Sequence, residues 1–145
     1  MNRINIVTIK MEKVKSMLVE NKNVTSPKEV YKIIAEYLKG VDREHLVLLT
    51  LDTKNVITSI TTISIGSLNT SIVHPREVFK TAILSNAASI ILAHNHPSGD
   101  STPSKEDINI TDRIKESSKI LGIDLLDHLI IGDDNYISLK EKGIL

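Results

Sequence analysis

Residues 88–107 read ASIILAHNHPSGDSTPSKED, and this stretch decides the fold. Its apolar beginning, residues 88–94, is short enough for a buried strand. Pro, Ser, Gly and Asp dominate residues 97–103, and this composition predicts a loop. From Ser104 to Asp107 the spacing is that of a capping box, so a helix should begin at Ser104. A buried strand that leads through a loop into a helix is typical of a crossover unit in an α/β fold.

The segments on either side of this stretch supply the rest of a mixed sheet. Residues 44–51 are apolar on both faces, which predicts a central strand, and a turn at residues 52–55 joins it to a β-branched, Thr-rich partner. The helix that begins at Ser104 should end near Leu121, because Gly122 follows. Hairpins and crossover helices together predict an α/β protein, with a mixed β-sheet sandwiched by helices. The further strands are predicted at residues 56–65, 123–131 and 136–139.

Two more helices are predicted before residue 88. The first begins with a capping box at residues 26–29, which includes a proline at the first helical position, and it stops at Gly40. The second begins at residues 74–77 and ends near Ser85. Its inward face is predicted to consist of Val78, Phe79, Ala82 and Ile83.

Residues 1–25 are predicted to be an N-terminal extension of a domain that covers residues 26–145. Residues 3–11 alternate between polar and apolar side chains, as in a strand, and residues 12–23 are typical of a short helix or a connector. The N-terminus lacks the long apolar run of a signal peptide. No apolar run approaches the roughly 18 residues that a membrane span needs. We therefore expect a cytoplasmic protein with no membrane partner.

The composition excludes several classes of protein. There are no cysteines, which excludes disulfides and zinc sites with cysteine ligands. Lys and Arg number 18, as do Asp and Glu, whereas proteins that bind nucleic acids usually have a basic excess. Aromatic residues make up only 3% of the chain, so an aromatic platform for stacking bases is not expected. The zero net charge leaves self-association unopposed, which is compatible with a homodimer.

His94 and His96 are candidate metal ligands. They lie two residues apart at the end of a predicted strand, so their side chains point to the same side. Asp107 in the next helix would complete three ligands and leave a fourth position for water, as in catalytic zinc sites. Each residue also has a simpler explanation, because histidines at a strand end are more often structural and Ser104 with Asp107 can act only as a helix cap. The two explanations are compatible, since a capped helix start also holds the carboxylate in place.

Hydrolysis at such a centre needs a base that takes a proton from water and gives it to the leaving amine. Spacing does not identify this base. Glu44 is the candidate because it begins the predicted central strand, although composition alone favours the simpler explanation of a solvated strand end. His74 is predicted to cap or pack at a helix start. His128 lies in an apolar strand, which is typical of a hydrogen-bonded core histidine, but near a metal it would support one of the ligands.

Taken together, these residues resemble the JAB/MPN (JAMM) metalloprotease superfamily, and within it the RadC-like domain. The superfamily pattern is a distant Glu, then His-x-His, seven residues, Ser, two residues and Asp. The chain matches it with Glu44, His94-Asn95-His96, Ser104 and Asp107. The segments at residues 73–80 and 125–128 also resemble the RadC signature, and the similarity extends from about residue 26 to the C-terminus.

The resemblance implies a role for each matched residue. His94, His96 and Asp107 match the zinc ligands. Glu44 matches the base that activates water, and Ser104 matches the hydroxyl that stabilises the tetrahedral oxyanion. The family therefore implies a Zn²⁺-dependent hydrolase of amide or isopeptide bonds that acts on a peptide or protein. It also implies an α/β sandwich like that of the cytidine deaminases.

A departure from the family pattern bears on DNA repair. Full-length RadC-like proteins usually carry an N-terminal helical region that resembles helix-hairpin-helix DNA-binding modules, and residues 1–25 do not resemble it. The second hypothesis is a binding or scaffold module, associated with DNA repair or mobile elements, that does not hydrolyse a substrate.

A zinc nucleobase deaminase is excluded because it needs cysteine ligands, and the charge does not support a nuclease. Substrate specificity would lie in the loops at residues 66–74 and 97–103.

Overall fold

A five-stranded mixed sheet with helices on both faces forms the described part of the protein. The computed structural model describes residues 1–68 and 73–145. In chain order the strands are β1 (His45–Leu51), β2 (Ile57–Ile65), β3 (Ser89–Asn95), β4 (Asp124–Ile131) and β5 (Tyr136–Ser138). The helices are α1 (Pro27–Tyr37), α2 (Pro75–Leu84) and α3 (Lys105–Leu121). The strands lie side by side in the order β2-β1-β3-β4-β5, and the predicted α/β class is confirmed.

The pairing of the central strands brings several chain segments to one end of the sheet. β1 pairs antiparallel with β2 and with β3. β3 and β4 are parallel, because α3 carries the chain back across the sheet between them. Opposite His94 of β3 lie Leu46, near the start of β1, and Ile130, near the end of β4. The end of β3 therefore meets the beginning of β1, the end of β4 and the loop that enters α3.

Two apolar clusters fill the space between the sheet and its helices. Side chains of α2 and α3 pack on one face of the sheet, and those of α1 pack on the other. The alternation along β1 shows this division, because Leu46 and Leu48 belong to the first cluster while Val47 and Leu49 belong to the second. The predicted central strand, apolar on both faces, is thus confirmed, and so is the arrangement of helices around the sheet.

The predicted start and end of α3 are confirmed, and both follow from local sequence. Ser104 is the N-cap residue and forms a reciprocal capping box with Asp107. At the other end, Gly122 has a φ of 68°, a left-handed conformation that glycine adopts without a steric penalty. A long helix with fixed limits therefore follows directly after the loop at residues 97–103.

Two predicted details of the other helices are wrong. Ser26 is the N-cap residue of α1, but its side chain makes no capping hydrogen bond. The Glu29 carboxylate instead accepts hydrogen bonds from the N–H and the hydroxyl of Thr25, both at 2.8 Å, and these bonds hold the pKa of Glu29 below its usual value. In α2, Ile83 is 53% exposed. It lies one residue further around the helix than Ala82, beyond the face that the sheet covers.

Residues 1–22 form neither helix nor strand, so the strand predicted at residues 3–11 is wrong. An alternating pattern forms a strand only where a partner strand is available, and Ile4, for example, is 92% exposed. Pairing begins at Asn23, which forms an antiparallel bridge with Val56. The boundary between the extension and the domain stays a prediction.

Among the helices that the described residues form, none is long and apolar enough to cross a membrane.

Candidate metal centre

The end of β3 directs two imidazoles to the same side of the sheet. His94 is fully buried and follows Ile90 and Leu92 along the face that α2 and α3 cover. His96 lies just beyond the strand, but its N–H still donates to the carbonyl of Ile131 in β4 at 2.8 Å. The extended backbone therefore continues as far as His96, and strand alternation gives both side chains the same direction.

The first turn of α3 adds a carboxylate beside the two imidazoles. The Asp107 N–H donates to the hydroxyl oxygen of Ser104 at 3.1 Å, and the Asp107 Oδ2 atom accepts from the Ser104 N–H at 2.7 Å. The Asp107 side chain is only 2% exposed. The capping box thus holds a buried carboxylate in one orientation. This agrees with the prediction that a capped helix start also fixes Asp107 in place beside the histidines.

Three side chains with potential ligand atoms converge at this point. His94 Nε2 lies 2.9 Å from Asp107 Oδ1 and 2.9 Å from His96 Nε2. His96 Nε2 lies 3.2 Å from Asp107 Oδ2. Among the described residues, these three form the one group of His, Cys, Asp or Glu side chains that is able to hold a metal ion. The side chains that the sequence singles out as metal ligands therefore do come together.

The local electrostatics keep the Asp107 carboxylate ionised. Burial by itself would raise its pKa, but a His94 ring that carries a proton on Nε2 donates to the carboxylate and adds a positive charge beside it, and these effects together with the hydrogen bonds to Ser104 lower the pKa well below the usual range. Because a metal ligand must be deprotonated, this carboxylate is in the state that binding needs.

The hydrogen bond of the His96 ring shows which of its nitrogens is free to bind a metal ion. His96 Nδ1 lies 2.7 Å from the backbone carbonyl oxygen of Asp100. A carbonyl oxygen only accepts, so Nδ1 carries the proton, and the neutral ring then presents the lone pair of Nε2 to His94 and Asp107. Zinc binds imidazole nitrogen at about 2.0–2.1 Å, so two ligand atoms of a tetrahedral ion lie about 3.3 Å apart. The separations of 2.9–3.2 Å between the ligand atoms are close to that value, and the residues fit the ion.

Glu44 comes immediately before β1 and is partly buried. Leu46 pairs with His94, and Glu44, two residues earlier, falls on the same face of the sheet. The Glu44 carboxylate accepts a hydrogen bond from the Leu68 N–H at 3.0 Å, and its carbonyl accepts from the Gly66 N–H at 2.8 Å. The loop that follows β2 therefore holds Glu44 on the side of the sheet where the ligands lie.

Asn95 is a residue of this region that sequence reasoning missed. Its side chain points away from the two histidines, and its Oδ1 accepts from the His45 N–H at 2.7 Å while its Nδ2 donates to the Arg43 carbonyl at 3.0 Å. The amide thus binds the backbone on both sides of Glu44. The middle position of a His-x-His pattern is the only sequence signal for it, because the pairing of β1 with β3 is not visible in the sequence.

The Ser104 hydroxyl accepts a hydrogen bond from the Asp107 N–H, so its own proton stays available for donation. His74 is the N-cap residue of α2 but makes no side-chain capping bond.

His128 is fully buried, and its ring lies next to His94, with His94 Nδ1 and His128 Nε2 2.9 Å apart. Burial, followed by the positive charge that His94 can carry, lowers the pKa of His128 well below its usual value.

The two loops predicted to determine specificity are described to different extents. In the loop at residues 97–103, Asp100 Oδ1 accepts from the Thr102 N–H at 2.9 Å and from the Thr102 hydroxyl at 2.7 Å. Gly99 also accepts a hydrogen bond from the Asp133 N–H at 3.0 Å. This loop is therefore held against the turn that follows β4. Residues 69–72 of the other predicted loop, 66–74, lie outside the described residues.

Comparison with known proteins identifies close relatives that share one name, UPF0758. The chain is 58% identical over 126 residues to a UPF0758 protein of Clostridium acetobutylicum, a match that covers 87% of this chain and 55% of the relative. It is 60% identical over 124 residues to a UPF0758 protein of Caldanaerobacter subterraneus subsp. tengcongensis, with 86% and 53% coverage. The chain therefore spans about half the length of these relatives. Their names state neither a substrate nor a reaction.

A family model agrees with the fold and with the position of the ligand group. The model for the RadC-like JAB domain matches residues 24–144, which include all five strands, all three helices and the convergent His94, His96 and Asp107. The resemblance predicted from the motifs is thus confirmed: the chain belongs to the RadC-like JAB domain family.

Proposed function

We propose that the protein is a zinc-dependent hydrolase of the JAMM type that cleaves amide or isopeptide bonds in a peptide or protein. The observation that carries this proposal is the convergence of His94, His96 and Asp107 at the end of β3. Two imidazoles and one carboxylate with a fourth position left for water make up the donor set of catalytic zinc, whereas structural zinc usually has four protein ligands. The His96 side chain is 13% exposed, so solvent reaches one side of the group.

In the proposed reaction, zinc bound to these ligands would lower the pKa of a water molecule and polarise the scissile carbonyl. Glu44 takes one proton from the water while the water oxygen forms its bond to the carbonyl carbon. Ser104 donates a hydrogen bond to the carbonyl oxygen as negative charge develops there. Glu44 then gives the proton to the amide nitrogen, the C–N bond breaks, and an amine and a carboxylic acid leave.

The positions of Glu44 and Ser104 support these two roles. Glu44 lies on the face of the sheet from which the histidines project, and the Leu68 N–H and the Asn95 amide restrain it and its neighbours. Ser104 lies at the start of the helix that carries Asp107, and its hydroxyl oxygen accepts the Asp107 N–H, a bond that does not consume the hydroxyl proton. A base and a hydrogen-bond donor beside the metal-bound water and the scissile carbonyl are what amide hydrolysis requires.

Metal content is the first test of the proposal. We expect about one zinc ion per chain by elemental mass spectrometry of untagged protein, and loss of zinc in the His94→Ala/His96→Ala variant. The His45→Ala variant is the matched control, because the His45 ring bonds to the Arg43 carbonyl; it should keep zinc. A wild-type protein that stays free of metal after zinc is supplied would contradict the proposal.

Replacement of the base separates catalysis from metal binding. We expect Glu44→Gln to keep zinc and to lose hydrolysis by a factor of about 10² or more, because the amide cannot take the proton. The measurement is cleavage of fluorogenic peptide and isopeptide substrates, beside zinc content. Loss of zinc in this variant would contradict the assignment of Glu44 as the base. Zinc binding without hydrolysis of any substrate in the wild type would favour the binding or scaffold module.

A further inference from the structure

A chain of hydrogen bonds runs through the protein interior from α3 to one of the proposed ligands. The Thr111 hydroxyl oxygen lies 2.6 Å from the Asp107 carbonyl oxygen and 2.6 Å from His128 Nδ1. His128 Nε2 in turn lies 2.9 Å from His94 Nδ1. Thr111, His128 and His94 are all 0% exposed. Each link of this chain is therefore a contact between protein groups, in a place that solvent does not reach.

The chain has only one consistent direction. The Asp107 carbonyl oxygen can only accept, so the single proton of the Thr111 hydroxyl must point at it. His128 Nδ1 must then donate to the Thr111 oxygen. In the neutral ring, a proton on Nδ1 leaves Nε2 bare, so His128 Nε2 accepts from His94 Nδ1.

The reverse direction is disfavoured by the first link. If His128 Nδ1 were bare, the Thr111 proton would point at it, and the Thr111 and Asp107 oxygens would face each other 2.6 Å apart with no proton between them. Two oxygen acceptors at that distance repel each other, and a buried acceptor left without a donor is costly. The backbone of α3 therefore determines the direction of every bond in the chain.

From this direction we infer that Thr111 and His128 are positioning residues for metal binding: they place the proton of His94 on Nδ1 and leave its Nε2 free as an electron-pair donor. This inference rests on the metal centre proposed above. The Asp100 carbonyl has the same effect on His96. Both bare Nε2 atoms then lie 2.9 Å apart beside the Asp107 carboxylate, an arrangement of three acceptors that only a cation stabilises.

The group that hydrogen-bonds His94 is a neutral imidazole rather than a carboxylate, and this difference affects the charge next to the proposed ligands. Metal-bound histidines commonly donate their second N–H to a carboxylate, a backbone carbonyl or water. His128 orients His94 without adding a negative charge next to the ligands. With Asp107 as the one anionic group among the three proposed ligands, an ion held there would keep more of its positive charge for polarising a substrate carbonyl.

Zinc affinity in three α3 variants tests the inference. Thr111→Val removes the hydroxyl at nearly constant volume, and we expect zinc affinity by chelator competition to fall about 10- to 100-fold. Thr111→Ser keeps the hydroxyl and should restore most of the affinity. Ser118→Ala is the matched control, because it removes a buried hydroxyl that donates to the Lys115 carbonyl on the same helix. Equal zinc affinity in Thr111→Val and the wild type would overturn the inference, provided that both are folded by circular dichroism.

The tautomer of His128 gives a second readout that needs no variant. Long-range ¹⁵N–¹H correlation spectra of the metal-free wild type should show the His128 proton on Nδ1. A proton on Nε2 would overturn the inference, whether or not the protein binds zinc. A wild type that binds no zinc would instead refute the metal centre itself, so the two failures are distinguishable.

Discussion

At the scale of single residues, the site depends on bonds to the backbone more than on ion pairs. The Asp100 carbonyl selects the proton position of His96, the Leu68 N–H restrains Glu44, and the Asn95 amide holds the backbone on both sides of Glu44. Backbone groups do not titrate and move little, so such bonds preorganise a site at low cost. Loss of a bond that restrains Glu44 or its neighbours should therefore appear in the rate of hydrolysis before it appears in metal affinity.

Asn95→Ala is the variant that tests this view. Loss of both amide bonds frees the segment around Glu44, and since a displacement of about 1 Å can reduce catalysis 10²-fold, we expect hydrolysis to fall roughly 10- to 100-fold. Zinc content should not change, because His94 and His96 keep their backbone positions. The control is Asn109→Ala, which removes an exposed amide from α3. A parallel fall in zinc content would show that Asn95 acts on the ligands rather than on the base.

Ser104 combines a structural and a proposed catalytic role, and the two are separable. We expect Ser104→Ala to lower the free energy of unfolding of the metal-free protein by about 1 kcal/mol, as removal of an N-cap usually does, and to reduce hydrolysis further than this stability loss explains. Ser104→Thr keeps a hydroxyl and should retain most of both properties. Urea denaturation and turnover are the two measurements. Full activity of Ser104→Ala would remove Ser104 from the mechanism.

At the scale of elements, the β3–α3 loop is held in place by the turn after β4. Gly132 packs so closely that an added Cβ would overlap the Gly99 carbonyl and the Asn135 side chain, and the Gly99 carbonyl also accepts the Asp133 N–H. The same loop provides the Asp100 carbonyl for His96. We therefore expect the turn after β4 to affect His96 through the loop.

The Gly132→Ala variant tests this expectation, because the added Cβ should displace the loop that carries the Asp100 carbonyl. The overlap pushes the loop outward at a cost of about 1–3 kcal/mol in unfolding free energy, and zinc affinity should weaken because His96 loses its fixed tautomer. Gly40→Ala is the control, since Gly40 has a φ of 82° in open space after α1 and its replacement should lower stability alone. Unchanged zinc affinity in Gly132→Ala would mean that the loop adjusts independently of His96.

At the scale of the whole molecule, the first residues contribute little to the described fold. Pairing with the sheet begins only with the hydrogen bonds between Lys22–Val24 and Asn55–Ile57. We expect deletion of residues 1–20 to change the free energy of unfolding by less than about 0.5 kcal/mol, as for most surface changes. Deletion of residues 1–26 also removes the Thr25–Glu29 bonds and the bridge at Asn23, so its melting temperature should be lower. Equal destabilisation by both deletions would place the domain boundary earlier than residue 26.

Sequence reasoning succeeds here where structure is determined locally. The capping box at Ser104, the stop at Gly122 and the common direction of His94 and His96 depend on residues close together in the chain. It fails where a distant partner decides, as for the exposed Ile83 and the unpaired segment at residues 3–11. The roles of Asn95 and His128 depend on which strands are neighbours and in what register. The motif therefore predicts the proposed ligands, whereas the sequence leaves two interpretations open for His128 and assigns no role to Asn95.

The closeness of the three ligands in the chain has a consequence for folding order. His94, His96 and Asp107 belong to one strand–loop–helix segment, and a short loop loses little entropy on closure. We therefore expect a partly folded chain to bind zinc before the sheet is complete. Glu44 and His128 arrive only when β1 and β4 pair with β3, and such long-range pairing is slow. In a refolding experiment, weak zinc binding should precede hydrolysis, and tight binding should develop together with the sheet.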